Sequence, residues 1–206
     1  MKKSDELGLT LIEILASITI FSIITISLFS FFPQAYKYTT KNQSRTLEIN
    51  VARGVLHYVE QQDYDVMQNM VKRNPDNIIS FDSNTICMTP YNESLSLFPD
   101  QTSCLSLFNP TLNNHTYTNH NIQLFIVPYT WTKENDDTIM TTLKNTFPSK
   151  KFDITSKNLT SLREKRDQEA SSTYPILTTL VYVDFNPTDT IPGVLLEGSI
   201  TSEGIN

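Results

Sequence analysis

The chain has 206 residues, with 16 basic side chains against 22 acidic ones, for a formal charge of −6. That length suits one domain plus an appendage. A mildly acidic chain with scattered basic residues is a poor electrostatic match to a phosphate backbone, which argues against general nucleic-acid binding.

In chain order, residues 1–8 read as a short polar leader containing Lys2, Lys3, Asp5 and Glu6. From Leu9 to Phe32 every side chain is apolar or a small hydroxyl, with Glu13 the only charge. As a helix this run spans about 36 Å, enough to cross a hydrocarbon layer of roughly 30 Å with some tilt. An acid near the end of such a span costs on the order of a few kcal/mol facing lipid, so it implies a partner or a function. Cleavage after Gly8 would supply one, because the new α-amino group of Leu9 would lie four residues from Glu13, in the same helix or in a neighbouring copy.

Pro33 removes a backbone donor and is expected to kink or loosen the helix without ending it. Residues 34–46, rich in Thr, Gln, Asn and Lys, read as an exposed neck. The stretch from Gln34 to Gln62 turns amphipathic. Leu47, Val51, Val55 and Val59 form its apolar stripe, flanked by Ala52, Leu56 and Tyr58, while Lys41, Arg45, Glu48, Arg53 and Glu60 fall mostly elsewhere. Gly54 weakens the helix and is expected to allow close packing.

Asp63 to Arg73 has helical spacing and is closed by Asn74-Pro75-Asp76-Asn77. Ile78–Phe81 and Thr85–Thr89 read as short strands around a turn at Asp82–Asn84. Residues 90–121 read as a long loop region. Ile122–Tyr129 is the clearest strand, Asp137–Phe147 is open between helix and strand, and Lys157–Ala170 is a charged helix capped by Ser156 with a solvated face. Ile176–Phe185 and Val194–Thr201 form a hairpin-like pair of strands joined through a turn at Asn186–Asp189.

The chain has two cysteines, Cys87 and Cys104. An even pair in an exported domain points to a disulfide that ties down the loop region, with two separate thiols as the alternative. The spacing shows no CxxC and no histidine-rich metal pattern. His57 falls on the amphipathic helix, while His115 and His120 fall in the loop, where exposed histidines are ordinary. Asp136 and Asp137 are adjacent, so in a strand their side chains would point apart and in a loop they would be hydrated, and neither reading makes an acid–base pair. There is no nucleophile elbow and no phosphate-cradling glycine loop. No catalytic residue, cofactor site or metal site is assigned. Tyr129 and Trp131, just past a strand end, are the aromatic residues flagged as surface contacts.

Gly8-Leu9-Thr10-Leu11-Ile12-Glu13, with a lysine-bearing leader before it and a long apolar helix after it, resembles the prepilin signal of type IV pilins and type II secretion pseudopilins. The resemblance covers about the first 60 residues. It departs from the family where Leu9 replaces the commoner phenylalanine or methionine, and where Asp5 and Glu6 cancel the leader's charge. It implies that a prepilin peptidase cuts after Gly8, that Leu9 becomes the N-methylated first residue, and that Glu13 is the glutamate used in assembly.

It also implies a pilin-like α+β fold, in which a long N-terminal helix, half membrane and half amphipathic, packs on an antiparallel sheet head. The divisions are a leader at 1–8, an assembly helix at 9–33, its amphipathic half at 34–62 and an exported head at 63–206. The implied function is that of a minor pilin or pseudopilin of a pilus, secretion or competence filament, and not an enzyme. Its partners would be the peptidase, other subunits through the N-terminal helix, and the cytoplasmic (inner) membrane, with a surface or periplasmic filament as its destination. A filament-tip adhesin or ligand-binding module is the alternative, and an unprocessed single-span anchored protein a further one.

Overall fold

Long apolar and amphipathic stretches dominate the first 60 residues, and in the structure, a computed structural model, they form a single α-helix, α1, from Leu11 to Glu60. The structure describes residues 10–87, 101–112, 115–116, 121–169, 176–186 and 190–202. The chain divides into two compact units, residues 1–44 and 45–206. Pro33 lies inside α1, which continues past it.

In the second unit α1 is followed by α2 (Tyr64–Arg73), β1 (Ile79–Phe81), α3 (Ser83–Cys87), α4 (Gln101–Phe108), β2 (Thr111–Leu112) and β3 (His115–Thr116). After these come β4 (Ile122–Pro128), α5 (Lys133–Thr146), α6 (Asp153–Glu169), β5 (Ile176–Val183) and β6 (Val194–Thr201). The main sheet is four-stranded and antiparallel, in the order β1-β4-β5-β6. The architecture is therefore α+β, with a long N-terminal helix and an antiparallel sheet.

Strand alternation decides the layers, because successive side chains point to opposite faces. Ile122, Leu124 and Ile126 of β4 pack with Ala52, Val55, Leu56 and Val59 of α1 and Met67 and Val71 of α2. Phe125 and Val127 point the other way, into a second core with Ile139 and Leu143 of α5 and Leu159 of α6. Helices cover both faces, so β4 reads as an unbroken apolar run and is buried along nearly its whole length. The β5–β6 hairpin has the expected strands, in a register that pairs Val183 with Val194. At its turn a Cβ on Gly193 would run into the Val183 carbonyl, so the close approach requires glycine.

Several local expectations are corrected. Residues 85–87 do not form the expected strand, and Met88 and Thr89 lie outside the described residues. Residues 83–87 are helical because Asp82 Oδ1 accepts the Thr85 N–H at 2.7 Å and Thr85 Oγ1 accepts the Asp82 N–H at 2.8 Å, a reciprocal cap that outweighs β-branched propensity. Within the stretch read as loop, α4 buries Cys104 and Phe108, one turn apart. The open stretch at 137–147 is helical, since Ile139, Met140 and Leu143 share one face and Thr132 with Asn135 builds a capping box at the start of α5.

The next helix, α6, begins at Asp153, so Ser156 lies inside it and its N–H is bonded to the Phe152 carbonyl instead of serving as a cap. Gly54 is not crowded, because the nearest neighbour to a Cβ there would be Leu107 Cδ1 at 4.0 Å, an ordinary contact.

Candidate functional site

The prepilin-like motif lies at the start of α1. Gly8 and Leu9 fall outside the described residues. Glu13 is in the first turn, where its Oε2 accepts the Thr10 N–H at 2.8 Å and the Thr10 hydroxyl at 2.9 Å. In return the Glu13 N–H reaches Thr10 Oγ1 at 3.4 Å. Thr-x-x-Glu is thus a capping box that satisfies two donors at the helix start. The signal for it is local, in the Thr10 to Glu13 spacing, and gives Glu13 a partner within its own helix. Its acceptor sites are not exhausted, because a carboxylate offers about four lone-pair positions.

Beyond it, Leu11 to Phe32 present their large apolar side chains outward, Phe21 with 70% of its surface exposed. The hydroxyls of Ser17, Thr19, Ser22, Thr25, Ser27 and Ser30 each donate to a carbonyl three or four residues back. A surface whose polar groups are satisfied within the helix suits a medium that offers no hydrogen bonds. Among the described residues, this is the one helix long and apolar enough to cross a membrane.

Cys87 and Cys104 form a disulfide joining α3 to α4, with Cα atoms 5.6 Å apart. Both cysteines are buried in the core that α1 covers. The bond anchors the α3 and α4 segments to that core.

A second polar group in the head was not anticipated. Lys150 and Asp184 pair at 2.9 Å with side chains 1% and 2% exposed. Asp184 also accepts from the Tyr182 hydroxyl at 3.0 Å and the Asn186 N–H at 2.9 Å. The Lys150 ammonium donates further to the carbonyls of Asn186 and Ile191. Glu48 lies nearby, buried, and its Oε1 accepts the Phe185 N–H at 3.2 Å. Burial pushes the Glu48 carboxyl above its ordinary range. The Phe185 N–H pulls it back down and the Asp184 carboxylate adds to the rise.

Together these groups pin the β5–β6 connection against the helix and against the turn after α5. They are closed to substrate, so their role is structural. Glu48 corrects the expected stripe: the buried face runs through Glu48, Ala52, Val55, Leu56 and Val59, one position round from Leu47 and Val51, which are only half-buried.

Trp131 is not a surface contact; it is 2% exposed because its indole N–H reaches Asp136 Oδ1 at 2.7 Å. Asp136 is correspondingly buried instead of hydrated, and it also holds Arg163 at 2.8 Å. Tyr129 is half-buried, with the Arg166 guanidinium 4.5 Å from its ring centroid. Arg166 also pairs with Glu197 on β6, so part of the α6 charge expected to face solvent is committed to the head. His57 is exposed and meets the Gln61 amide at 3.2 Å. His115 is the first residue of β3, and His120 lies outside the described residues.

A polar cleft of about 220 Å³ opens between the Pro75–Asn77 turn, the end of β4 and the start of α5. Among the described residues no group of three or more His, Cys, Asp or Glu is placed to hold a metal ion. No family model, curated protein or solved structure matches the chain.

Proposed function

We propose that this chain is a minor pilin or pseudopilin, a structural subunit of a type IV pilus, type II secretion or competence filament. It is made as a prepilin and cut by prepilin peptidase between Gly8 and Leu9. The observation that carries this reading is a lone carboxylate, Glu13, in the first turn of a helix that otherwise turns apolar side chains outward from Leu11 to Phe32. Before assembly the apolar half lies in the cytoplasmic membrane with the head on the exported side. The buried disulfide supports that placement, since such bonds persist in oxidising compartments.

During assembly the bilayer around Leu11–Phe32 is exchanged for the same segment of other subunits. The exchange is nearly neutral for the apolar side chains, and it lets Glu13 meet the α-amino group of a neighbouring Leu9. An amine and a carboxylate meeting in that low dielectric offset each other's burial, which gives one axial register an advantage over the rest. The head forms the outer surface. Its size and its several short segments suit a low-copy subunit better than a repeated one, and the polypeptide is a substrate of the peptidase, not an enzyme.

The test is the intact mass of the protein recovered from its own cells, together with a Glu13→Ala variant. A mature chain beginning at Leu9, with or without one methyl group, is expected, as is a variant that is made and cut but absent from filaments. A protein still beginning at Met1 would overturn the reading. So would normal incorporation of Glu13→Ala.

A further inference from the structure

We infer that residues 36–41 of α1 form a lipid-headgroup anchor, in which Lys37 and Lys41 take phosphates of anionic phospholipids and the rings of Tyr36 and Tyr38 lie in the same layer. This rests on the membrane placement of Leu11–Phe32 and is independent of cleavage and filament growth. Between Glu13 and Glu48 the chain has no acidic residue, so no carboxylate lies within one helical turn of either lysine. Lys37 and Lys41 stand four residues apart on one side of the helix; both are exposed, and among the described residues neither takes part in an ion pair. A cationic face with no internal partner is complementary to an anionic surface.

Axial distance places that face in the right layer. From Leu11 to Phe32 the helix rises about 33 Å, close to the hydrocarbon thickness, and headgroups add roughly 5–8 Å on each side. Tyr36 follows Phe32 by about 6 Å and Lys37 by about 8 Å, inside the headgroup layer, while Lys41 at about 14 Å can lay its stem back toward it. Tyr36 and Tyr38 are 74% and 69% exposed, and amphipathic rings of this kind favour the interface. The neighbouring hydroxyls of Thr39 and Thr40 are satisfied on the Ala35 and Tyr36 carbonyls, leaving the lysines and tyrosines as the groups that need an environment.

The full chain, reconstituted in vesicles of phosphatidylcholine alone or with one-third phosphatidylglycerol, gives the test. A membrane-impermeant amine reagent labels lysines on the outward side, and peptide mass spectrometry reads each site. The exposed Lys144 and Lys157 serve as standards. Relative labelling of Lys37 and Lys41 should fall about fivefold with phosphatidylglycerol and recover in high salt.

Equal labelling in both vesicles would overturn the anchor. So would protection that follows the protein-to-lipid ratio instead of the lipid charge, since that would mean another copy covers the lysines. A chain that alkaline carbonate strips from the vesicles would sink the membrane reading as well, which separates the two failures.

Discussion

Leu11–Phe32 and Glu48–Glu60 belong to the same helix but meet opposite surroundings. In the first stretch the apolar side chains go all the way round and are exposed, and the hydroxyls fold back on the helix's own carbonyls. In the second, one face is buried against a sheet while Arg53, His57 and Glu60 stay exposed. Neither helix propensity nor Pro33 distinguishes the two; the difference lies in what each surface requires of its solvent. A stripe needs one partner, whereas an apolar cylinder needs to be surrounded, by lipid or by copies of itself.

Truncating one aromatic in each setting should break this comparison most sharply. Phe125→Ala, in the core beneath α5 and α6, should cost the head about 3–5 kcal/mol. Phe21→Ala should leave the unfolding midpoint of the head unchanged. Denaturant titration of the full chain in detergent, followed by Trp131 fluorescence, reads both, and equal losses would erase the distinction.

Lys150→Met should cost about 3 kcal/mol or more, because it strands a buried Asp184 carboxylate. A loss below about 1 kcal/mol would mean the ion pair contributes little beyond its hydrogen-bonded surroundings. Replacing Cys87 and Cys104 together by alanine should cost about 3 kcal/mol, through a loop closed across 17 residues. In the intact head both sulfurs should resist reductant until the head unfolds, since Cys104 is fully buried and Cys87 nearly so. Thiol labelling during a denaturant series checks this, and early labelling would place the bridge outside the core.

The smallest effect concerns Glu48. Burial raises its carboxyl, so the folded head binds that proton more tightly than the unfolded chain does. The resulting stability is present below the unfolded carboxylate range and is lost as pH rises through the folded value. Glu48→Gln keeps an acceptor for the Phe185 N–H without that titration. Its stability relative to the unaltered chain should therefore improve as pH rises above the ordinary glutamate range of about 4. Parallel curves would show that Glu48 is solvated despite its burial.

Much of the framework was legible because it is local. Uninterrupted apolar character marked Leu11–Phe32. A β-branched run followed by a turn and a second such run marked β5 and β6, and the helical spacing of Val66, Met67, Met70 and Val71 marked α2, which Asp63 caps by accepting the Val66 N–H. The capping box of Thr10 and Glu13 is just as local, its two members three residues apart. The α3 and α4 helices are too short to establish a period and depend on Asp82 and on the disulfide.

The amino-acid sequence alone determined that Leu11–Phe32 present a surface suited to a non-aqueous medium, with one acid, Glu13, near its start, because that property belongs to consecutive side chains. Tertiary structure alone decided that Glu48, Lys150, Tyr182 and Asp184 converge, that Trp131 is buried on Asp136, and that helices cover both faces of the sheet. Positions 48, 150 and 184 are separated by 102 and 34 residues. No local pattern connects residues so far apart, and a buried charge becomes tolerable only once the fold has brought its partner into place.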